Sequence, residues 1–354
     1  LPYRDVMAKH TSNLINGFFW LKQLRIMAAA SKKLGLTEDA NLWIKLAKCG
    51  ALSYNKLYFS KTKGLYRDIE CKARLEGTKK FCHNTSTDGE MSVQTAQALP
   101  LFLDLPASAL DKKRVGDALA FDVLSGTYPG RTTTGLVGTK YVLSELVKSG
   151  HAEVALTLAT SMQYPSWGRM LPSTVHPLGQ GEGTLWERWE GDKHTGSGSR
   201  NHIMLGGFDG PFFYGNLAGI QNDGGLAWST VTIAPTVAGD LDGVKATVAT
   251  VRGDIDVEWS VVRTKSVTFH INVSIPSGTK GVLKLPLVDK NATANDANAR
   301  EGGTLFWKAG TGYKPGSVIG IDMAKPGSSL AGKYIQVDIR SGAYAFDIVV
   351  DRSD

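Results

Sequence analysis

A helical domain followed by an antiparallel β-sandwich is the fold class this sequence predicts, and three observations carry it. Apolar residues recur at helical spacing in successive runs between Asn16 and Met162, separated by Gly, Pro, a short polar break or, at 60–89, a longer excursion. Past Asp223-Gly224-Gly225 the spacing changes to strict alternation, as in strands with one buried face. With 354 residues, 42% of them hydrophobic, the chain is long enough to bury a core in each part. The division expected is 1–224 helical and 225–354 β-sandwich.

The helices follow in order. Asn16 to Leu34 combines helix formers with two terminal lysines and Gly35 as a stop. Thr37 is placed to cap the next helix, with Glu38 and Asp39 in its first turn and Trp43, Leu46, Ala47, Gly50, Tyr54 and Leu57 at helical spacing. Residues 60–89 lose this periodicity and are expected as a long exposed excursion. Helical patterning returns over Val93–Leu103, Ala107–Leu124, Thr139–Ser149 and Ala152–Met162. In the β part, Ile255, Val257 and Trp259 oppose Asp254, Asp256 and Glu258. Val267 to Ile275 and Tyr344 to Val350 alternate in the same way. Turns expected at Pro276-Ser277-Gly278, Lys314-Pro315-Gly316 and Pro326-Gly327-Ser328 separate roughly eight or nine strands.

Composition narrows the function. The net charge of +7 is scattered, without a basic run or nucleic-acid motif, so no nucleic-acid partner is expected, although acidic polysaccharides remain compatible. No apolar run reaches the roughly twenty residues of a membrane span. The N-terminus, LPYRDVMAKH, begins as a processed or partial product would. Of three cysteines, Cys71 and Cys82 are a candidate disulfide and Cys49 is left over. Sequons at Asn84, Asn272 and Asn291 are candidate N-glycosylation sites, and with the cysteines they favour secretion.

The densest chemistry lies between Tyr164 and Gly207, which holds Trp167, Trp186 and Trp189, Glu187 beside Arg188, and His194 and His202. Aromatic plates next to a few polar groups on irregular backbone fit a ligand site, here one for sugar rings. Glu187, held ionised by a neighbouring cation, suits a general base or nucleophile; the same residues could equally satisfy each other beneath a Trp-rich cap. The glycines of GQGEGT and TGSGSR are expected as turns letting backbone approach a ligand. His194 and His202 lack zinc spacing, so neither metal nor cofactor is expected.

Five stretches, Thr133-Thr-Gly-Leu-Val-Gly-Thr139, Tyr164-Pro-Ser-Trp-Gly168, Gly183-Thr-Leu-Trp-Glu-Arg-Trp189, Ser197-Gly-Ser-Arg-Asn-His202 and Leu217-Ala-Gly-Ile220, together resemble the α-L-rhamnosidases of glycoside hydrolase family 78. The resemblance extends into the β part at Gly253-Asp254-Ile255 and Ile275-Pro276-Ser277-Gly278-Thr279. It implies an (α/α)6 toroid and removal of terminal α-L-rhamnose with inversion, Glu187 being the base that activates water. It further implies sugar contacts from His202 and pocket walls from Trp167 and Trp186, with Arg188 also in the site. Inversion requires an acid roughly 6.5–9.5 Å from the base. The family's acid-bearing motif does not occur before Glu187, and residues 1–225 supply only about seven or eight helices by their periodicity. The expectation is therefore the C-terminal part of a longer barrel, its acid and first helices contributed by a preceding segment or chain. Two other readings stay open: a non-catalytic carbohydrate-binding or assembly protein on the same fold, and a rhamnose–uronate lyase.

Overall fold

The computed structural model describes residues 12–67, 71–76, 79–84, 94–189, 191, 199–208, 210–222 and 226–351, with backbone only for residues 12, 71–84 and 351. The chain forms two compact units, Leu1–Gly206 and Gly207–Asp354.

The first unit is helical. Helix α1 (Ser12–Lys33) buries Leu14, Phe18, Leu21, Leu24 and Ala28 along one stripe. It ends at Gly35, whose φ of 74° suits a residue without Cβ, while the Leu36 amide returns to the Ser31 carbonyl at 2.9 Å. Helix α2 (Thr37–Tyr58) packs against it, and the absence of a side chain at Gly50 is what admits Trp20: a Cβ there would stand 2.5 Å from the indole. The expected cap is displaced by one residue. Leu36 occupies the N-cap and makes no side-chain hydrogen bond, because Thr37 is already helical and its amide donates to the Gly35 carbonyl.

The described residues among 60–89 form hairpins, which the loss of helical period concealed. Strands β1 (Phe59–Ser60) and β2 (Leu65–Tyr66) pair antiparallel, as do β3 (Cys71–Glu76) and β4 (Lys79–Asn84). Far from being exposed, Tyr66 is fully buried, its backbone N–H and C=O clamped by the Gln97 side chain at 2.8 and 2.7 Å. Helices α3 (Gln94–Phe102), α4 (Ala109–Ser125), α5 (Thr139–Lys148) and α6 (Ala152–Thr160) fall within a few residues of their expected spans. Ser108 caps α4 by accepting from the Asp111 amide at 3.0 Å.

The second unit begins before the change in periodicity. A π-helical turn at Gly210–Leu217 contacts strands of this unit, and Ala218 and Ile220 are buried in its core. Its strands are β5 (Ile220–Gln221), β6 (Thr230–Ile233), β7 (Gly243–Thr250), β8 (Gly253–Arg263), β9 (Ser266–Ile275), β10 (Lys280–Pro286), β11 (Ala297–Glu301), β12 (Thr304–Lys308), β13 (Gly312–Tyr313), β14 (Ile321–Ser329), β15 (Gly332–Ile339) and β16 (Gly342–Asp351). They form a five-stranded sheet, β14-β15-β10-β6-β5, and a seven-stranded sheet, β13-β12-β11-β16-β9-β8-β7, which share one apolar core. Every pairing is antiparallel except β6 with β10. The strand count exceeds the expectation in part because the two-residue strands β5 and β13 carry no alternation to detect. Pro326-Gly327-Ser328 is not a turn but lies within β14, at the sheet edge, where a missing N–H is tolerated.

Candidate active site

The segment around Glu187 has no helix or sheet of its own, and side chains fix it instead. Thr184–Trp189 lies beside Ser199–His202, joined by the Glu187 amide to the Ser199 carbonyl (2.8 Å), the His202 amide to the Leu185 carbonyl (2.7 Å) and the Thr184 hydroxyl to the Arg200 carbonyl (2.5 Å). The Ser199 amide donates to Glu187 Oε2 at 3.0 Å. Among the described residues Oε1 meets no hydrogen-bonding partner, so the half-buried carboxylate keeps one oxygen for a ligand.

Within Trp186-Glu187-Arg188-Trp189 the two indoles turn inward and the two charged groups remain half-buried. Trp186 and Trp189 are each 5% exposed and form a small core with Met170 and Leu205, flanked by Leu136, Tyr164, Trp167 and Leu185. Trp167 and Trp189 meet edge to face at 5.3 Å. Their N–H groups are used structurally: Trp167 Nε1 donates to the Leu205 carbonyl at 2.8 Å and Trp189 Nε1 to the Thr134 carbonyl at 2.7 Å. Of the residues expected to wall a pocket, Trp167 is thus half-buried and tethered, and Trp186 is buried beneath the segment.

Thr134 belongs to a second braced loop. The buried hydroxyls of Thr132, Thr134 and Thr139 form a chain at 2.8 and 2.9 Å that ends on the Gly135 carbonyl. Gln94, fully buried at the start of α3, accepts from the Thr133 amide at 2.9 Å and donates to the Arg131 carbonyl at 3.0 Å. Arg131 in turn donates to the Tyr164 carbonyl at 2.7 Å. Burial pushes the Asp122 carboxyl up to about 7, against a hydrogen bond from Gln94 that works in the other direction. Sequence reasoning passed over Gln94 and Gln97. The available signal was two amides three residues apart inside the apolar run QTAQALPLF.

His202 is half-buried, and its Nδ1 is a buried atom without a hydrogen-bond partner among the described residues. Arg200 pairs with Glu182 at 3.2 Å. The glycines of Gly179-Gln180-Gly181 serve a different end from the one expected. A Cβ at Gly181 would stand 2.1 Å from the Met170 carbonyl oxygen and one at Gly179 2.3 Å from that of Leu171, so they let the chain approach its own backbone. His194 and the glycines of TGSGSR lie outside the described residues, as do the side chains of Cys71, Cys82 and Asn84. Asn272, Asn291 and Cys49 are exposed. No group of three metal-ligating side chains occurs among the described residues, and none of their helices is long and apolar enough to cross a membrane.

Paired helices, a segment after the last of them that presents a half-buried carboxylate beside buried tryptophans, and a two-sheet domain make up this architecture. Family models match this organisation: residues 2–217 match the bacterial alpha-L-rhamnosidase 6 hairpin glycosidase domain and residues 219–300 the bacterial alpha-L-rhamnosidase C-terminal domain. The chain belongs to the bacterial α-L-rhamnosidase family. An alpha-L-rhamnosidase of Streptomyces avermitilis is 30% identical over 209 residues, covering 57% of this chain and 19% of its own length. One from Formosa agariphila is 24% identical over 280 residues, covering 77% and 26%. The match therefore spans between about a fifth and about a quarter of those relatives' length. The solved alpha-L-rhamnosidase of Dictyoglumus thermophilum superposes with a TM-score of 0.70 at 26% identity, over 94% of this chain and 31% of that one. The Streptomyces avermitilis enzyme solved with L-rhamnose gives 0.65 at 20% identity, over 94% and 26%.

Proposed function

We propose that this chain is part of an inverting α-L-rhamnosidase that removes terminal α-L-rhamnose from glycans or glycosides, with Glu187 as its general base. The observation that carries this reading is the Glu187 carboxylate itself. One oxygen is positioned by the Ser199 amide, the other is unengaged among the described residues, and two buried indoles hold the backbone beneath it. In such a site Oε1 takes the proton of a water as that water attacks the anomeric carbon, while an acid across the sugar protonates the departing oxygen. His202 Nδ1, also unpartnered among the described residues, is a candidate contact for a sugar hydroxyl, with Arg188 and Trp167 at the rim. The acid, in this reading, comes from outside the chain.

The same reading assigns an occupant to the outer surface of α1 and α2. Trp20 (48% exposed), Ile26 (57%), Met27 (45%) and Leu52 (72%) leave apolar surface that further helices of the barrel would cover. Secretion is part of the proposal, supported by the exposed sequon at Asn291. The test is hydrolysis of an aryl α-L-rhamnoside by the complete protein. Glu187→Gln should abolish it without altering thermal unfolding, and full activity in that variant would sink the assignment.

A further inference from the structure

A concavity in the β-domain is lined by none of the residues of the Glu187 segment. It is a trough of about 550 Å³ on the solvent side of the seven-stranded sheet, bordered by Lys245, Thr247, Asp256, Glu258, Asn272, Ser274 and Glu301, with Ala343 and Ala345 at its floor. We propose that this trough is a second saccharide subsite, binding an uncharged stretch of oligosaccharide apart from the catalytic carboxylate.

The sequence of the floor is the first reason. Register places Lys245, Glu258, Asn272 and Ala345 in one row across β7, β8, β9 and β16, and Thr247, Asp256, Ser274 and Ala343 in the next. The central strands of a sheet favour β-branched and aromatic residues, whereas Ala and Asn are poor strand formers. Here the two middle strands carry Asn272, Ser274, Ala343 and Ala345 on the exposed side, flanked by longer side chains. A purely solvated face has no need of that exchange. Local choices that run against propensity concentrate where a site is being kept open.

The chemistry of the lining is the second reason. Methyl and backbone surface at the floor suits the C–H face of a pyranose, and the rim offers acceptors and donors for hydroxyls. Lys245 and Glu258 hold each other at 3.0 Å, and Thr247 donates to Asp256 at 2.7 Å, so those carboxylates are already oriented. The Asn272 amide, which both donates and accepts, has no hydrogen-bond partner among the described residues. Three carboxylates against one ammonium reject an anionic polymer such as a uronan. The choice of a saccharide, over another neutral polar ligand, rests on the glycosidase reading above.

The experiment titrates the complete protein with a neutral rhamnose-containing oligosaccharide and, separately, with polygalacturonate, following heat or the amide resonances of the sheet. Three proteins are compared: wild type, Glu187→Gln and Ala345→Gln, the last of which fills the trough from an exposed position that does not threaten folding. In Glu187→Gln the oligosaccharide should still bind the sheet, although hydrolysis is lost. In Ala345→Gln binding to the sheet should weaken about ten-fold or more, with hydrolysis of a small aryl rhamnoside unchanged. Equal binding by Ala345→Gln and wild type, or binding of polygalacturonate in preference to the neutral probe, would overturn the subsite. So would a glycan attached at Asn272, which would occupy the trough itself. An active Glu187→Gln would refute the base assignment and leave the trough standing.

Discussion

The Glu187 segment and the β-domain hold their backbones in opposite ways. In the β-domain, the β8, β9 and β16 ladders supply the hydrogen bonds, and the side chains Ile255, Val257, Phe269 and Phe346 are free to do nothing but pack. In the segment from Tyr164 to Leu205, side chains anchor the backbone: two indole N–H groups and the Thr184 hydroxyl each end on a main-chain carbonyl. A ladder is redundant, since losing one side chain leaves its hydrogen bonds intact. A tethered loop is not, because each tether is single. The segment can therefore present a carboxylate with one oxygen left for a ligand, and its geometry depends on a few distant residues.

The largest expected effect falls on the unredundant side. Glu187→Gln in the complete protein should lower the turnover of an aryl α-L-rhamnoside by about 10²–10⁴-fold, the share usually carried by a general base, with unchanged thermal unfolding. Next, Trp259→Ala should cost about 3–5 kcal/mol of β-domain stability in denaturant melts, since its 2%-exposed ring fills the shared core and its N–H reaches the Leu217 carbonyl. If the regions are as different as described, turnover per folded molecule should not change. Gln94→Leu sharpens the contrast from the other side. Leaving the Thr133 amide and Arg131 carbonyl unpaired should cost about 1–3 kcal/mol, and because the same loop receives Trp189 it should also reduce kcat. Retained kcat would mean that the loop does not position Glu187.

A further effect is a pH dependence. Asp122 is raised from 3.8 to about 7 in the folded state, so below the unfolded value both states hold the proton and nothing is lost. As pH rises from about 4 to about 7 the unfolded state releases its proton first, and folding stability falls. Asp122→Asn should flatten that decline in urea midpoints measured between those pH values. A parallel decline in the variant would locate the titration elsewhere.

How much of this was legible in the sequence follows the same division. Alternation at Ile255, Val257 and Trp259 reports directly on the face that each strand buries, so the sheet could be read residue by residue. The tetrad Trp186–Trp189 announced a site, but not that its indoles would point down and leave Glu187 above them, because irregular backbone has no period from which to infer direction. The clamps were hidden for a related reason: Gln94 acts on residues 131 and 133, a long-range pairing that one sequence does not encode locally. Tyr66 escaped likewise, its backbone being held by a glutamine far along the chain rather than by a pattern of its own.

Gln94 and Gln97 stand one helical turn apart on α3 and grip two separate stretches of backbone, so that short helix works as a ruler. Inserting or deleting one residue between them would rotate one amide by about 100° relative to the other. One of the two stretches would then lose its grip. Length changes in this family should accordingly gather in the connecting loops and avoid the three-residue interval between these glutamines, whatever the rest of α3 becomes.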